Sequence, residues 1–157
     1  MLTIPATTPS RSTTSSPSDP ELAARLRMAI TRMARRLRQE SDTGGETSPT
    51  LTAALATIER RGPLTPSALA DCERIRRPTA TRAVAQLEAA GLVTRTSDPA
   101  DRRVSHVAIT PAGRALLKRI RSRKNQYLAR RLRELTPAEQ ATLADAAALV
   151  ERLLERP

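Results

Sequence analysis

The chain has 157 residues, enough for one domain, and carries 27 Lys and Arg against 16 Asp and Glu, a net charge of +11. Nearly all the cations are arginine, whose planar fork suits phosphate and guanine, so the charge favours a polyanionic partner: nucleic acid before an anionic membrane surface. One cysteine excludes a disulfide framework and a multi-thiolate zinc site, and one Tyr without Phe or Trp argues against single-strand binding by base stacking.

The N-terminal part is predicted to contain a tail followed by a helix. Residues 1–17 are rich in Ser, Thr and Pro and predict a disordered tail. Ser18 and Glu21 form a capping-box pattern, which opens a helix that should end near Gln39. Apolar residues recur along this helix at helical spacing, namely Leu22, Leu26, Ile30, Met33 and Leu37. We interpret residues 18–47 as a dimerisation helix and the loop that follows it.

Three shorter helices and two strands are expected next, in residues 48–110. The helices start at Ser48-Pro49, at Thr65-Pro66 and at Pro78, and Gly62 and Gly91 close the first and the third. Residues 92–94 and 104–109 are strand-like, and Asp98-Pro99 between them is a turn signal. This is the element order of a winged helix-turn-helix, which places one helix, about residues 77–90, in the DNA major groove. A β-hairpin, the wing at about residues 95–104, lies beside that helix.

Residues 111–157 are predicted to form two more helices. Thr110-Pro111 opens a long helix that reaches about Arg133, and Thr136 with Glu139 forms a capping box for the last one. The apolar side of the long helix is expected to contain Leu116, Ile120, Tyr127, Leu128 and Leu132, and that of the last helix Leu143, Ala147, Val150 and Leu154. The predicted fold class is therefore mainly α with a minor β component, a winged helix-turn-helix between N- and C-terminal dimerisation helices.

The flanking helices have apolar stripes that neither flank can bury by itself. The simplest way to bury these stripes is to pack the N- and C-terminal helices against each other and against a second copy of the chain. This predicts a two-fold homodimer with an isologous helical interface. A monomer whose stripes pack internally is the alternative. The residues expected at the dimer interface are Leu22, Leu26, Ile30, Leu132, Leu143, Val150 and Leu154.

Two arginines and Pro78 begin the helix that is expected in the major groove. The N-terminal turn of such a helix reaches base edges, so Arg76 and Arg77 stand where their forks can contact guanine. The remaining candidates are Thr79 and Thr81 for a thymine methyl or a phosphate, and Arg82 for a phosphate. The helix dipole repels arginines at this end, and a bound polyanion would offset that cost. An ordinary basic surface is the alternative.

Two further segments supply candidate contacts to DNA. Thr65 and Ser67, at the start of the short third helix, can hydrogen-bond the DNA backbone, although capping alone also explains them. In the wing, Arg103 is the first choice for the minor groove and Arg102 the second. Asp101 would orient one of these arginines through an ion pair. Asp98 is likewise predicted to have a structural role rather than to contact DNA, because a carboxylate repels phosphate. An exposed loop salt bridge is the alternative.

The segments LTPSALADCERIRRPTATRAVAQLEAAGLVTR and DPADRRVSHVAITPAGRALL together resemble the MarR (multiple antibiotic resistance regulator) family. The wing pattern Asp98-x-x-Asp101-Arg102-Arg103 and the helix start Thr110-Pro111-Ala112-Gly113 are its most specific elements. The likeness extends over about residues 20–155. One departure lies in the turn before the recognition helix, where the family commonly has Leu-Gly and this chain has Glu73-Arg74. The Glu73 carboxylate is a candidate partner for Arg74 or Arg77.

This resemblance implies a dimeric transcription regulator, usually a repressor, that binds a pseudo-palindromic site in double-stranded DNA. It also implies release of the DNA by a small effector, often phenolic or a lipophilic anion, near the junction of the dimerisation and DNA-binding parts. By the same likeness, Arg77, Thr79, Thr81 and Arg82 fall on recognition-helix positions, and Arg103 falls on the minor-groove position of the wing.

Other functions are disfavoured. No catalytic, phosphate-loop or metal-ligand motif is present, so we expect no enzyme, no metal and no cofactor. No apolar run spans a bilayer and the N-terminus lacks a signal-peptide core, which predicts no membrane partner and a cytoplasmic location. We interpret Cys72 as packing rather than redox-sensing, His106 as a solvent-facing strand residue and Tyr127 as a dimer-helix packing residue. The alternative function is an architectural nucleoid protein that coats DNA without choosing its sequence.

Overall fold

The computed structural model describes residues 18–41, 47–97 and 105–155. The predicted tail at 1–17 and the wing tip, with its candidates Asp98, Asp101, Arg102 and Arg103, lie outside the described residues. The elements in chain order are α1 Asp19–Glu40, α2 Pro49–Arg61, α3 Pro66–Glu73, α4 Arg77–Ala89, β1 Val93–Ser97, β2 Ser105–Ile109, α5 Pro111–Leu132 and α6 Pro137–Glu155. This is the predicted order, and the α-rich winged helix-turn-helix class is confirmed.

The predicted caps account for the helix starts. The side chains of Ser48, Thr65 and Thr110 accept backbone N–H groups at the beginnings of α2, α3 and α5, each with a proline in the first turn. Proline fits there because its φ is preset and its missing N–H would have had no helical partner. At α6, Thr136 and Glu139 form the predicted capping box, and these hydrogen bonds lower the pKa of the Glu139 carboxyl.

The described residues divide into two compact units, one that ends at Arg35 and one that begins at Arg36. In the second unit one apolar core joins α2, α3, α4, the sheet and the first part of α5. Its largest fully buried side chains are Leu55, Ile58, Leu69, Leu87, Val84, Val107 and Thr57. Leu116, Leu117 and Ile120 of α5 also belong to this core. The long helix is therefore built into the helix-turn-helix by its first three turns.

The sheet is a two-stranded antiparallel hairpin, with Val93 opposite Ile109 and Ser97 opposite Ser105. Val107 and Ile109 are buried while the residues between and beside them are less so, as the alternating pattern predicts. Leu64 adds a single antiparallel bridge to Val107, with N···O distances of 2.9 and 3.2 Å. A one-residue strand has no periodicity, so sequence analysis did not find it.

The observed ends differ from the expected ones by small amounts, except at the first strand. That strand begins one residue later than expected and extends to Ser97, because its later residues have no apolar signal and pair through backbone hydrogen bonds. Leu132, expected on the buried side of α5, is 40% exposed. Neither α1 nor α6 contains a buried residue. Their apolar stripes are therefore available to a partner.

Candidate nucleic-acid interface

The α4 helix has two opposite faces. Ala80, Ala83, Val84 and Leu87 are buried at the i, i+3, i+4, i+7 spacing of one helix face. Pro78 and Arg82 lie on the opposite, exposed face, and Thr79 and Thr81 lie at its two edges. Arg77 lies in the first turn in line with the buried stripe and is nevertheless exposed, because the helix begins there. The buried face sets the orientation of α4 on α2 and α3, so the basic and hydroxyl side chains are all turned toward solvent.

The start of α4 is a cluster of cations without local partners. Arg76 is the N-cap, with extended φ and ψ, and its side chain makes no capping hydrogen bond. Among residues that the structure describes, the guanidinium groups of Arg76, Arg77 and Arg82 make no ion pair or hydrogen bond. The helix N-terminus adds its own free N–H groups and positive dipole end. This concentration of unpaired positive charge is suited to phosphate.

The threonines of α4 differ in what they can offer. The hydroxyl of Thr81 donates to the carbonyl of Arg77 at 3.0 Å, one turn earlier in the helix. This bond fixes the Thr81 side chain and leaves its methyl group and oxygen lone pairs exposed. Thr79 is exposed in the first turn, and its backbone N–H bonds to the Arg76 carbonyl at 2.9 Å.

At α3, the two candidates for backbone contact have different surroundings. Thr65 is half-buried and caps the helix, accepting the N–H of Ala68 at 3.1 Å, as predicted. Ser67 is exposed in the first turn of α3. Of the two, Ser67 has its hydroxyl fully available to an external acceptor or donor.

The turn between α3 and α4 closes in an unusual way. Arg74 adopts the left-handed conformation, with φ 53° and ψ 42°. The N–H of Ile75 bonds to the carbonyl of Ala70 at 3.0 Å and that of Arg74 to Asp71 at 3.3 Å, which is a Schellman motif. Ile75 packs against the core behind the turn. The motif normally takes glycine at the left-handed position, because a Cβ is strained there.

The carboxylate of Glu73 is hydrogen-bonded to α2, so the candidate pairs with Arg74 and Arg77 do not form. The buried hydroxyl of Thr57 donates to Oε1 of Glu73, and the guanidinium of Arg60 donates to the same Thr57 oxygen at 3.0 Å. This chain of bonds ties the turn before α4 to the end of α2. The roles of Thr57 and Arg60 could not be predicted, because no local sequence pattern indicates a contact between residues sixteen positions apart.

The base of the wing is attached to α4. Nε of Arg95 on β1 lies 2.8 Å from Oε2 of Glu88, near the end of α4. The contact is an ion pair without the alignment of a hydrogen bond. On the other side, the hydroxyl of Thr110 donates to the carbonyl of Gly91 at 2.8 Å. The two ends of the hairpin are thus both held against the C-terminal end of the candidate recognition helix.

The residues expected at a dimer interface are largely exposed in the single chain. The exposed fraction is 42% for Leu22, 52% for Ile30 and 80% for Leu154, while Val150 is half-buried. Exposed in the same way are Leu26, Leu132 and Leu143. Large apolar side chains in this number are unusual on the surface of a monomer and are typical of a surface that another chain covers.

Tyr127 lies between two guanidinium groups. The Cζ atoms of Arg36 and Arg131 are 5.5 and 5.6 Å from the ring centroid, within cation–π range. Arg131 and then Arg36 lower the pKa of the phenol by hydrogen bonding to it. These residues line a cleft of about 290 Å³, together with Glu40, Arg130 and Glu134.

The other singled-out residues have unremarkable positions. Cys72 is exposed on α3, so it does not fill the core as expected. His106 is half-buried opposite Thr96 on β1, rather than fully facing solvent. Within the described ranges, no cluster of three or more His, Cys, Asp and Glu side chains could hold a metal ion. None of the described helices is both long and apolar enough to cross a membrane.

Comparison with known proteins places this geometry in a family. The model of the MarR family matches residues 47–105, which contain α2 to the wing. HTH-type transcriptional regulators of Mycobacterium bovis and Mycobacterium tuberculosis are each 36% identical over 138 residues, covering 88% of this chain and 96% of the relative.

Solved structures show the same fold. A protein described as a transcriptional regulator from Pseudomonas aeruginosa is 33% identical with a TM-score of 0.80, covering 90% of this chain and 99% of that one. A variant of MepR from S. aureus bound to an oligodeoxyribonucleotide is 18% identical with a TM-score of 0.66, covering 84% of this chain and 97% of that one.

Proposed function

The chain belongs to the MarR family of DNA-binding transcriptional regulators, and on that premise we propose that it is a homodimeric, ligand-responsive repressor. In this proposal two copies of α4 enter successive major grooves of a pseudo-palindromic operator, and the wings enter the flanking minor grooves. Bases are read by Arg76, Arg77, Thr79 and Thr81. The DNA backbone is contacted by Arg82, Thr65 and Ser67, and Pro78 borders the same interface.

One observation carries the proposal: the exposed, unpaired cations at the start of α4. Arg77 and Arg82 are both exposed, and no described carboxylate neutralises them. A guanidinium in this position can bind guanine by two parallel hydrogen bonds, which gives sequence discrimination, whereas a phosphate contact gives none. The MepR variant with the same fold was solved bound to an oligodeoxyribonucleotide.

The exposed leucines support the dimer. Covering an apolar side chain such as Leu143 or Leu154 stabilises an interface by about 1.5–3 kcal/mol. All ten exposed large apolar side chains of the described residues lie on α1, α5 and α6. A two-fold dimer also matches the two-fold symmetry of a palindromic operator.

Ligand response is proposed from the family resemblance together with the cleft at Tyr127. Two guanidinium groups flank its ring, and each is paired with a carboxylate of the same cleft, Arg36 with Glu40 and Arg131 with Glu134. Arg130 also lines the cleft and has no ion pair with the described residues, so the lining has a net charge of about +1, which favours an anionic small molecule over a neutral one. Binding there would release DNA if the DNA-bound arrangement of the dimer had the lower affinity for the effector.

Selection of DNA by the full chain tests the function. Wild-type protein is incubated with a randomised duplex library, and the enriched duplex is compared with a scrambled duplex of equal length by fluorescence anisotropy at fixed salt. We expect the enriched duplex to contain an inverted repeat with half-sites about one helical turn apart and to bind at least about 1000-fold more tightly.

Two results would contradict the proposal in different ways. Equal affinity for the enriched and scrambled duplexes would favour the architectural nucleoid protein. Preference for a single unrepeated half-site, with one chain bound per duplex, would contradict the dimer. The Arg77→Ala variant serves as the matched negative control, because it lacks the proposed base-reading group and retains the rest of the basic surface.

A further inference from the structure

The strained residue in the turn before α4 is an arginine. Arg74 is the one non-glycine residue with positive φ in the described part of the chain. The left-handed conformation is energetically unfavourable for a residue with a Cβ but not for glycine. Glycine is also the usual residue at this position of a Schellman motif. Backbone strain is therefore present at a position that has a long, exposed cationic side chain.

The surrounding hydrogen bonds leave that side chain free. The carboxylate beside it in sequence, Glu73, is hydrogen-bonded by Thr57. Arg60 in turn donates to Thr57, so the bonds of this network belong to α2 and Glu73. Arg74 itself is exposed and makes no ion pair or side-chain hydrogen bond with the described residues.

We propose that Arg74 is an additional phosphate-binding residue, held in the left-handed turn so that its guanidinium contacts the DNA backbone beside the recognition helix. This inference rests on the proposed DNA-binding function. Arg74 lies two residues before the N-cap Arg76, outside α4 and therefore outside the segment that reaches base edges. Its contact positions the helix and does not read sequence. Backbone strain retained for a contact of this kind is characteristic of functional sites.

The Thr57–Glu73 bond has a part in this arrangement. It engages the carboxylate that is adjacent to Arg74 in sequence and holds the turn against α2. The guanidinium is thus presented by a fixed turn rather than a mobile loop. A fixed cation loses less conformational entropy when it binds phosphate.

The test compares Arg74→Gly, Arg74→Lys and Arg152→Gln in the full chain. Arg74→Gly removes the charge and the strain together, Arg74→Lys keeps the charge, and Arg152→Gln removes one exposed charge from the last turn of α6 as the matched control. The probes are the library-selected duplex and its scrambled version, titrated by anisotropy between about 50 and 200 mM salt, the range over which phosphate contacts dominate the salt response. Urea unfolding is measured in parallel.

We expect Arg74→Gly to unfold at higher urea and yet to bind both duplexes more weakly. The slope of log K against log salt should become shallower by about 1.8 per dimer, since each lost phosphate contact contributes about 0.9. Between the two salt concentrations, the variant would then lose about tenfold less affinity than wild type. Arg74→Lys should retain the wild-type slope, and the ratio of the two affinities should not change in any variant.

Three outcomes would overturn the proposal. A wild-type slope in Arg74→Gly means that no phosphate is contacted, and an equal reduction in Arg152→Gln means that only net charge matters. A selective loss for the enriched duplex means that Arg74 reads bases. The slope does not depend on the active fraction of the protein, so partial unfolding cannot imitate the expected result. Failure of wild-type protein to prefer the enriched duplex would contradict the proposed regulator while leaving the slope test of Arg74 valid.

Discussion

Gly113 packs directly against the backbone of Leu92: a Cβ added to Gly113 would collide with the Leu92 carbonyl oxygen and lie 2.8 Å from Cγ1 of Ile109. Glycine is therefore required where α5 crosses the turn between α4 and β1. The contact joins the long helix to the end of the candidate recognition helix. A displacement of the start of α5 would therefore also displace this turn.

Gly113→Ala is expected to destabilise the protein, although alanine is the better helix former. Replacing glycine by alanine inside a helix ordinarily stabilises it by about 0.5–1 kcal/mol. Here the new Cβ meets a backbone oxygen that cannot rotate away, so we expect a loss of about 3 kcal/mol. Urea unfolding followed by circular dichroism measures the change. The exposed Ala115 supplies the control, since Ala115→Gly should cost about 0.5–1 kcal/mol, and a gain of stability in Gly113→Ala would refute the close contact.

Thr110→Val should cost about 1–2 kcal/mol of stability. The Thr110 hydroxyl accepts the N–H of Gly113 at 3.1 Å and donates to the carbonyl of Gly91 at 2.8 Å, so it both caps α5 and holds the turn after α4. Valine keeps the shape and removes both bonds. Thr142→Val on α6 is the matched control, because its hydroxyl only bonds the carbonyl of Ala138 on an exposed surface. Similar melting temperatures for the two variants would show that the Thr110 bonds do not stabilise the fold.

Arg77→Ala and Arg82→Ala should weaken DNA binding in different ways. Loss of a two-bond contact to guanine at Arg77 should reduce discrimination at one position of each half-site by about 1–3 kcal/mol. Loss of a phosphate contact at Arg82 should weaken all sequences alike and make the salt dependence shallower. Competition with duplexes that carry single base-pair changes separates the two. If Arg77→Ala lost affinity equally for all duplexes, Arg77 would not read bases.

Leu143→Asp and Leu154→Asp should dissociate the proposed dimer. A leucine buried at an interface contributes about 1.5–3 kcal/mol, so each variant should raise the dimer Kd by about tenfold to a hundredfold. Size-exclusion chromatography with light scattering at several concentrations measures the mass. Ala141→Asp, about 200° around α6 from Leu143, is the control and should leave the mass unchanged. A monomeric wild-type protein would contradict the dimer outright.

Tyr127 should titrate below the ordinary pKa of a tyrosine. Arg131 and, to a lesser extent, Arg36 favour the phenolate, and this is the only tyrosine in the chain, so ultraviolet difference absorbance reports it directly. Because the folded pKa is lowered, the Tyr127 contribution to stability is lost as pH falls through that folded pKa and is complete above the unfolded value. Arg131→Gln should raise the pKa more than Arg36→Gln. An unchanged titration in both variants would exclude the guanidinium groups as its cause.

Local patterns were sufficient for most of the secondary structure. Ser48-Pro49, Thr65-Pro66 and Thr110-Pro111 start helices as predicted, because a cap and a preset proline act within one turn of chain. Gly62 and Gly91 have positive φ at the ends of α2 and α4, where the pattern predicted closure. The buried positions Val84 and Leu87 follow from helical periodicity alone.

Contacts between segments distant in sequence could not be predicted from these local patterns. The bridge from Leu64 to Val107 and the hydrogen bond from Thr57 to Glu73 each join residues that no local signal connects. The second of these engages Glu73, the expected partner of Arg74 and Arg77, and so leaves both guanidinium groups without that partner. Its existence depends on how α2 packs against α3.

The order of the elements, the arginine-rich start of α4 and the family of the chain were all present in the sequence, because capping, periodicity and side-chain chemistry act over a few neighbouring residues. Only the tertiary structure decided three further points: which arginines are unpaired, which residue adopts the strained left-handed conformation, and why a residue larger than glycine does not fit at position 113. Each of those depends on the meeting of backbone and side chains from separate elements, and packing alone brings them together.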